Sequence, residues 1–192
     1  MIREVIVSSW NLAGRTHIAP MGIHELGGQY LVMPFKPSTT LDNILETGYA
    51  VMNSTDDVRI FAGCLTGRRD WALCRCDRIE GYRLRDSLYH LELKLVRHEP
   101  DEQRPRLFCQ VLHEALHQPF KGFNRAQFAV LEAAILVSRL HLLPFEKIQS
   151  EIEYLRIGLE KTAGEREREA WEWLMQRVAE FKSPNPRQAG LS

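Results

Sequence analysis

The feature that most constrains the fold is a change of hydrophobic pattern at Pro119. Before it, short segments rich in β-branched and aromatic residues alternate with turns of Gly, Pro, Asn and Asp, a pattern typical of short β-strands. After it, apolar residues recur at helical spacing or cover every face of a segment, as they do on buried helices. The sequence therefore predicts an α+β protein, in which a mostly antiparallel β-barrel is followed by a three-helix segment.

The individual elements follow from the same periodicities. Strands are predicted at 2–10, 16–25, 30–35, 49–53, 89–96 and 107–113, with short helices at 41–46 and 58–65 and an irregular, arginine-rich insert at 66–87. Longer helices are predicted at 126–143, 144–161 and 165–182. The implied domains are a barrel at 1–120, a helical domain at 121–183 and a loose tail at 184–192.

The charge and hydropathy of the sequence argue against nucleic-acid and membrane partners. The 25 basic and 25 acidic residues cancel, which gives no overall attraction to nucleic acid or to an anionic membrane. Apolar runs stay shorter than a bilayer-spanning helix requires. Arg3 and Glu4 lie where the apolar part of a signal peptide would begin. We therefore expect a cytoplasmic protein without nucleic-acid or membrane partners.

One turn has the composition of an anion site. Lys36-Pro37-Ser38-Thr39-Thr40 precedes a short predicted helix, whose first N–H groups lack acceptors within the helix and carry partial positive charge. Hydroxyls and a lysine at that end could hold a phosphate. The same residues could instead form an ordinary N-cap beside a solvated lysine. The turn alone leaves both interpretations open.

The second predicted strand contains Pro20-Met21-Gly22. Proline within a strand indicates an edge or a bulge, and glycine allows another group to approach the backbone closely. A flat ligand lying against the backbone is one interpretation, and a plain β-bulge is the other.

A match to the zinc-protease motif H-E-x-x-H occurs at His113-Glu114-Ala115-Leu116-His117. The motif requires a helix that places both histidines on one face. Here it continues a predicted strand, and Pro119 leaves a helix little room. In a strand the two histidines would lie about 13 Å apart, too far to share one ion. We keep a zinc hydrolase only as a distant alternative, and we expect no metal ligands in this chain.

Two groups of motifs carry a family resemblance. The first comprises Ile2-Arg3-Glu4, Asn11-x-x-Gly14, Ile18-Ala19-Pro20-Met21-Gly22, Pro34-Phe35-Lys36, Thr40-x-x-Asn43-Ile44 and Thr47-Gly48-x-Ala50-Val51-x-Asn53. The second comprises Pro119-Phe120-x-Gly122-Phe123-Asn124-Arg125-Ala126 and Arg139-Leu140-His141-Leu142-Leu143. In this order they resemble the FMN-binding split barrel, and more closely the family labelled domain of unknown function 447, which adds a C-terminal helical segment. The resemblance spans residues 2–181.

The resemblance implies FMN as cofactor and a set of binding residues. The implied phosphate contacts are Lys36, Ser38, Thr39 and Thr40, and the implied ring contacts are Met21, Gly22, Ile23 and His24. Asn43 would be a further polar contact or would fix the turn. Lys121 and Arg125 could add charge, or could belong to the joint between barrel and helices. No residue is identified as catalytic.

The resemblance also implies an assembly and an activity. The flavin would lie near the interface of a homodimer. The protein would be a flavin-dependent oxidoreductase acting on a small molecule of unknown identity, with a pterin as a speculative example. The alternative is a flavin-binding module without turnover, acting as a sensor or carrier.

Overall fold

The computed structural model describes residues 1–182, which form two compact units. The barrel unit contains Met1–Asp56 and Asp70–Lys121, and the helical unit contains Asp57–Arg69 and the chain from Gly122 onward. The barrel domain predicted at 1–120 includes the segment 57–69. The structure places this segment in the helical unit because Val58 and Ala62 pack in the helical core. The predicted tail at 184–192 lies outside the described residues.

The elements of the barrel unit are β1 Ile2–Trp10, β2 Thr16–Leu26, β3 Gln29–Val32, α1 Thr39–Thr47, β4 Tyr49–Ser54, β5 Leu73–Arg75, β6 Tyr82–Leu84, β7 Tyr89–Glu99 and β8 Arg106–Leu116. Six of these strands close into an antiparallel barrel in the order β1-β2-β3-β8-β7-β4. The predicted barrel is thereby confirmed.

The barrel core follows from strand alternation. Val5 and Val7 on β1, and Leu91 and Leu93 on β7, are buried at two-residue spacing and pack in one cluster. Helix α1 adds Ile44 to the same cluster. Residues that alternate with these, such as His90 and Glu92 on β7, therefore face the outside of the barrel.

Strand β2 has a neighbouring strand on both sides only at its C-terminal end. Its residues from His24 onward pair with β3, whereas Thr16–Ile23 pair with β1 alone among the described strands. Pro20 stands in this open stretch, opposite Ile6. The predicted edge position of this proline is therefore confirmed, since proline cannot donate a ladder hydrogen bond.

The insert at 66–87 is more ordered than the sequence predicts. Strands β5 and β6 pair as a small antiparallel hairpin. The turn between them covers the outer barrel face, where Ile79 packs with Trp10 and Val51. Ser8 Oγ on β1 donates to the Tyr82 carbonyl oxygen at 2.8 Å. Residues 73–84 of the insert therefore cover the outer face of the barrel, and we call them the flap.

The helical unit contains α2 Arg59–Leu65, α3 Arg125–Ser138, α4 Phe145–Thr162 and α5 Glu165–Lys182. Asn124 caps α3, because its Oδ1 accepts from the N–H groups of Ala126 and Gln127 at 2.7 and 3.2 Å. Helix α3 ends at Ser138, five residues before the predicted end at 143. Among the described residues, none of the helices combines the length and apolar character needed to cross a bilayer.

Candidate functional site

Ser38 caps helix α1. Its backbone is extended, and its Oγ accepts from the Leu41 N–H at 3.2 Å. Gly48 ends the helix with φ at +80°, in the left-handed region that glycine adopts without strain. The N-cap that the sequence allowed at this turn is therefore present. The Ser38 hydroxyl is already engaged by the helix before any ligand is considered.

Thr40 is the unusual residue of this turn. Its side chain is 1% exposed, and its buried Oγ1 has no hydrogen-bond partner among the described residues. The N–H groups of Thr39 and Thr40 lie in the first helical turn, where no carbonyl of the helix can accept from them. A buried polar group left unsatisfied costs about 1–3 kcal/mol. The α1 N-terminus therefore carries several donors that a ligand oxygen would satisfy.

Lys36 is exposed and is held by the turn between β7 and β8. Its Nζ donates to the Asp101 carbonyl oxygen at 2.9 Å, and its N–H donates to the Gln103 carbonyl oxygen at 2.9 Å. An ammonium group has three donors, so two remain available to a ligand. Hydrogen bonds from the N–H groups of Arg104 and Gln103 lower the pKa of Asp101. This turn therefore adds an ionised carboxylate near Lys36.

Asn43 is buried on α1, and its Nδ2 donates to Ser9 Oγ on β1 at 3.1 Å. Of the two roles predicted for it, this contact favours fixing α1 against the barrel. This bond uses one of the two Nδ2 hydrogens, so it does not by itself exclude a contact with a ligand.

The segment Met21–His24 on β2 presents alternate residues to opposite faces. Ile23 is 1% exposed and Met21 is partly buried, and both pack in the barrel core. The Ile23 side chain is therefore closed to a ligand outside the barrel and can serve the predicted role only through its backbone groups, whereas the partly buried Met21 side chain keeps some exposed surface. Gly22 and His24 face outward. A Cβ on Gly22 would stand 3.0 Å from Ile2 Cγ2, so close packing against β1 also favours glycine there.

Lys121 and Arg125, the two basic residues predicted to add charge, belong to different units. Lys121 is exposed at the end of the barrel unit, and Arg125 is the first residue of α3. The backbone of Arg125 packs closely against Gly158 of α4, because a Cβ there would stand 3.3 Å from the Arg125 carbonyl oxygen. A role for either residue in ligand binding stays a prediction.

The H-E-x-x-H segment is extended, as the sequence predicts. Residues 113–116 complete β8, and Glu114 accepts a hydrogen bond from the Tyr89 hydroxyl at 2.7 Å. Burial and this hydrogen bond raise the pKa of Tyr89. The helical geometry of a zinc protease is absent from this stretch of the chain, so the zinc hydrolase has no support.

Sequence reasoning missed a second cluster of polar side chains. His90 and Glu92 on β7 meet His113 on β8 and Asp77 of the flap. The available signal was His90-x-Glu92, since residues two apart share one face of a strand. Only the register of β7 with β8 shows that Glu92 lies opposite His113. Only the path of the flap shows that Asp77 reaches them.

Comparisons with known proteins show that the fold of the chain is similar to that of several solved structures. The chain is similar to the FMN-bound protein MM1853 from Methanosarcina mazei, with 21% identity and a TM-score of 0.79 over 92% of this chain and 94% of that one. It is also similar to 2-nitrobenzoate 2-nitroreductase NbaA from Pseudomonas fluorescens, with 22% identity and a TM-score of 0.53 over 59% and 64% of the chains. Flavoredoxin from Methanosarcina acetivorans gives 14% identity and a TM-score of 0.53 over 60% and 69%. None of the curated proteins matches the chain in sequence.

Two family models match in succession. The model described as the N-terminal domain of a protein of unknown function (DUF447) matches residues 3–118, and the model described as a protein of unknown function (DUF447) matches residues 124–176. Both halves of the predicted resemblance are therefore confirmed, in the predicted order. The chain belongs to the DUF447 family.

Proposed function

We propose that the barrel unit binds FMN, with the phosphate at the N-terminus of α1. The observation that carries this proposal is the buried hydroxyl of Thr40, which has no partner among the described residues. A phosphate oxygen would accept from this hydroxyl and from the first N–H groups of α1, and the helix dipole favours the negative charge. Lys36 would add a full positive charge from the exposed side.

The family and the fold support FMN over other phosphorylated ligands. The M. mazei protein that resembles this chain over nearly its whole length is described as FMN-bound. The open stretch of β2 supplies a place for the ring, since half of its backbone N–H and C=O groups point away from β1. Gly22 and His24 face outward there, and Ile23 would contribute backbone groups only.

Bound FMN would supply one- and two-electron transfer, and the chain would supply position and electrostatics. Backbone groups along β2 would orient the ring and hydrogen-bond its polar edge. The N-terminus of α1 would fix the phosphate end. Asn43 would hold α1 against β1, so that both ends of the site stay at a fixed separation.

A second copy of the chain would complete the site as a homodimer. The open stretch of β2 and the exposed side chains of Leu12 and Phe35 support this part of the proposal, since unpaired strand edges and exposed apolar groups favour association. Light scattering on the FMN-loaded chain should then give twice the monomer mass. A monomer at all concentrations would contradict the dimer without affecting FMN binding.

Titration with FMN and riboflavin tests the phosphate placement. The variant Thr40→Val keeps the shape of the side chain and removes the hydroxyl. We expect its FMN affinity to fall about 10- to 150-fold, since hydrogen bonds to charged groups contribute about 1.5–3 kcal/mol. Riboflavin lacks the phosphate and serves as the matched control, so its affinity should not change.

Two outcomes would overturn this placement. One is an unchanged FMN affinity in Thr40→Val, and the other is an equal loss for FMN and riboflavin. A wild-type chain that takes up neither flavin would overturn FMN binding itself.

We propose that the bound flavin serves a redox enzyme rather than a passive carrier. The support is the similarity in fold to a nitroreductase. Bleaching of the flavin absorbance by reduced nicotinamide, followed by reoxidation with an added acceptor over many cycles, would support an enzyme. Stable reduction without turnover on any acceptor would favour the sensor or carrier.

A further inference from the structure

A cluster of ligand-type side chains lies on the outer face of β7 and β8. His90 and Glu92 are both 0% exposed although they face away from the barrel core. The flap covers both side chains, and hydrogen bonds to Glu92 hold the flap in place. The carboxylate of Glu92 accepts from the N–H groups of Asp77 at 2.6 Å, Arg78 at 2.9 Å and Ile79 at 2.9 Å.

This anchoring brings the Asp77 carboxylate over the two strands. Asp77 Oδ2 lies 3.3 Å from His113 Nε2 and 3.7 Å from His90 Nε2. His90 Nε2 lies 3.4 Å from Glu92 Oε1. One ligand atom from each of the four residues lies within 4.8 Å of all the others. Two strands and the flap thus converge on one small volume.

We propose that Asp77, His90, Glu92 and His113 bind a divalent transition-metal cation, with Zn²⁺ as the best match. Zinc takes four nitrogen and oxygen ligands at about 2.0–2.2 Å, which places neighbouring ligand atoms about 3.4 Å apart in a tetrahedron. The observed separations of 3.3, 3.4 and 3.7 Å centre on that value. The two carboxylates also balance the charge of a divalent cation.

His117 provides the outer contact that a metal-ligating histidine needs. Its Nε2 lies 2.9 Å from His90 Nδ1. When His90 donates Nδ1–H to His117, its Nε2 lone pair faces the carboxylates of Asp77 and Glu92. A cation between them makes that arrangement favourable, because the imidazole nitrogen and both carboxylates can then bind it.

The opposite tautomer gives the competing account. His117 Nε2–H would then donate to His90 Nδ1, and His90 Nε2–H would donate to Glu92, so the cluster would be a hydrogen-bonded network that needs no ion. The geometry at Asp77 favours the metal. This exposed carboxylate is directed at two imidazole nitrogens, although the hydrogen bonds of Glu92 would hold the flap without it.

The proposed site differs from the H-E-x-x-H arrangement and does not depend on FMN. Of that motif only His113 is a ligand, because Glu114 alternates to the other side of β8 and bonds Tyr89. The metal would cross-link β7, β8 and the flap. Our expectation from the sequence that the chain has no metal ligands is replaced by this proposal.

Zinc titration of the chelator-stripped full chain tests the site. We expect one equivalent of Zn²⁺ to bind and to raise the thermal midpoint. In Asp77→Asn and His113→Ala the affinity should fall at least about 100-fold, since loss of outer contacts alone costs about 10- to 100-fold. The matched control is His98→Ala, which removes an exposed histidine from the same strand β7 and should bind zinc as the wild type does. Both test positions are partly exposed, so the variants should fold.

X-ray absorption at the zinc edge identifies the ligands. Nitrogen and oxygen neighbours with an imidazole signature support the proposal. Sulfur at about 2.3 Å would overturn it in favour of a site at Cys74 or Cys76. Failure of the wild type to bind zinc more tightly than Asp77→Asn and His113→Ala would also overturn it, and would favour the hydrogen-bonded network.

Discussion

The Cys109 thiol is buried in the barrel core, where burial raises its pKa to about 12 from an ordinary value of 9.0. Burial likewise raises the pKa of Cys64 to about 11 and of Cys76 to about 12. Above pH 9 these thiols ionise in the unfolded chain and stay protonated in the folded one. The folded state then binds more protons, so its stability falls as pH rises.

We predict a steep loss of stability between pH 9 and pH 12. Each buried thiol should remove about 1.4 kcal/mol from the free energy of unfolding per pH unit. Urea unfolding under reducing conditions at several pH values measures the slope. In Cys109→Ala the free energy of unfolding should fall less steeply with pH, by about that amount per pH unit, whatever its value at pH 7. An unchanged slope in this variant would contradict the assignment.

Residues with local roles could be predicted from the sequence, and residues with long-range roles could not. The cap at Ser38 can be predicted because a cap depends on the residues within one helical turn. The burial of Thr40 depends on how α1 packs against the barrel. Asp77, His90 and His113 are brought together only by the register of β7 with β8 and by the path of the flap.

At the scale of elements, the flap rests on the contact between Gly81 and Trp10. A Cβ at Gly81 would stand 2.2 Å from the Trp10 ring, a distance that real atoms do not reach. Either the indole or the flap must shift to accommodate any side chain there. This contact ties the flap to β1.

We predict that Gly81→Ala destabilises the barrel unit by about 1–3 kcal/mol, as overpacking usually does. Trp10→Phe should relieve the overlap, because the indole atoms that would clash belong to its outer ring. The double variant Gly81→Ala/Trp10→Phe should therefore be more stable than the sum of the two single changes predicts, as a double-mutant cycle by urea unfolding would measure. Simple additivity would show that the contact does not hold the flap.

The strands could be predicted because every second residue faces the barrel core and is apolar. The flap was predicted as irregular because its strands β5 and β6 have three residues each, too few for a periodicity to appear. The predicted end of α3 was too late because Leu140, Leu142 and Leu143 are apolar without being helical. Leu140 is buried although it lies in a turn, and Leu142 is exposed, so hydrophobicity alone does not distinguish a turn from a helix.

At the scale of the whole chain, the two units are not consecutive segments. Helix α2 lies between β4 and the flap in sequence but packs with α3 and α5 in the helical unit. Arg59 of α2 pairs with Glu169 of α5 at 3.2 Å, and Asp57 pairs with Arg166 of α5 at 3.8 Å. The sequence placed this segment in the barrel because chain order suggested no other neighbour.

We predict that the fragment 1–121, which contains the whole barrel, is not an independent soluble domain. Without α3 and α5, the side chains of Val58 and Ala62 lose the cluster that buries them, and the apolar face of α2 becomes exposed. The fragment should bind a hydrophobic dye strongly and associate in light scattering, whereas the full chain should not. As the matched control, Val58→Ser with Leu65→Ser in the same fragment should lower dye binding, since both side chains pack in the helical core. A monomeric fragment 1–121 with no more dye binding than the full chain would show that α2 does not require the helical unit.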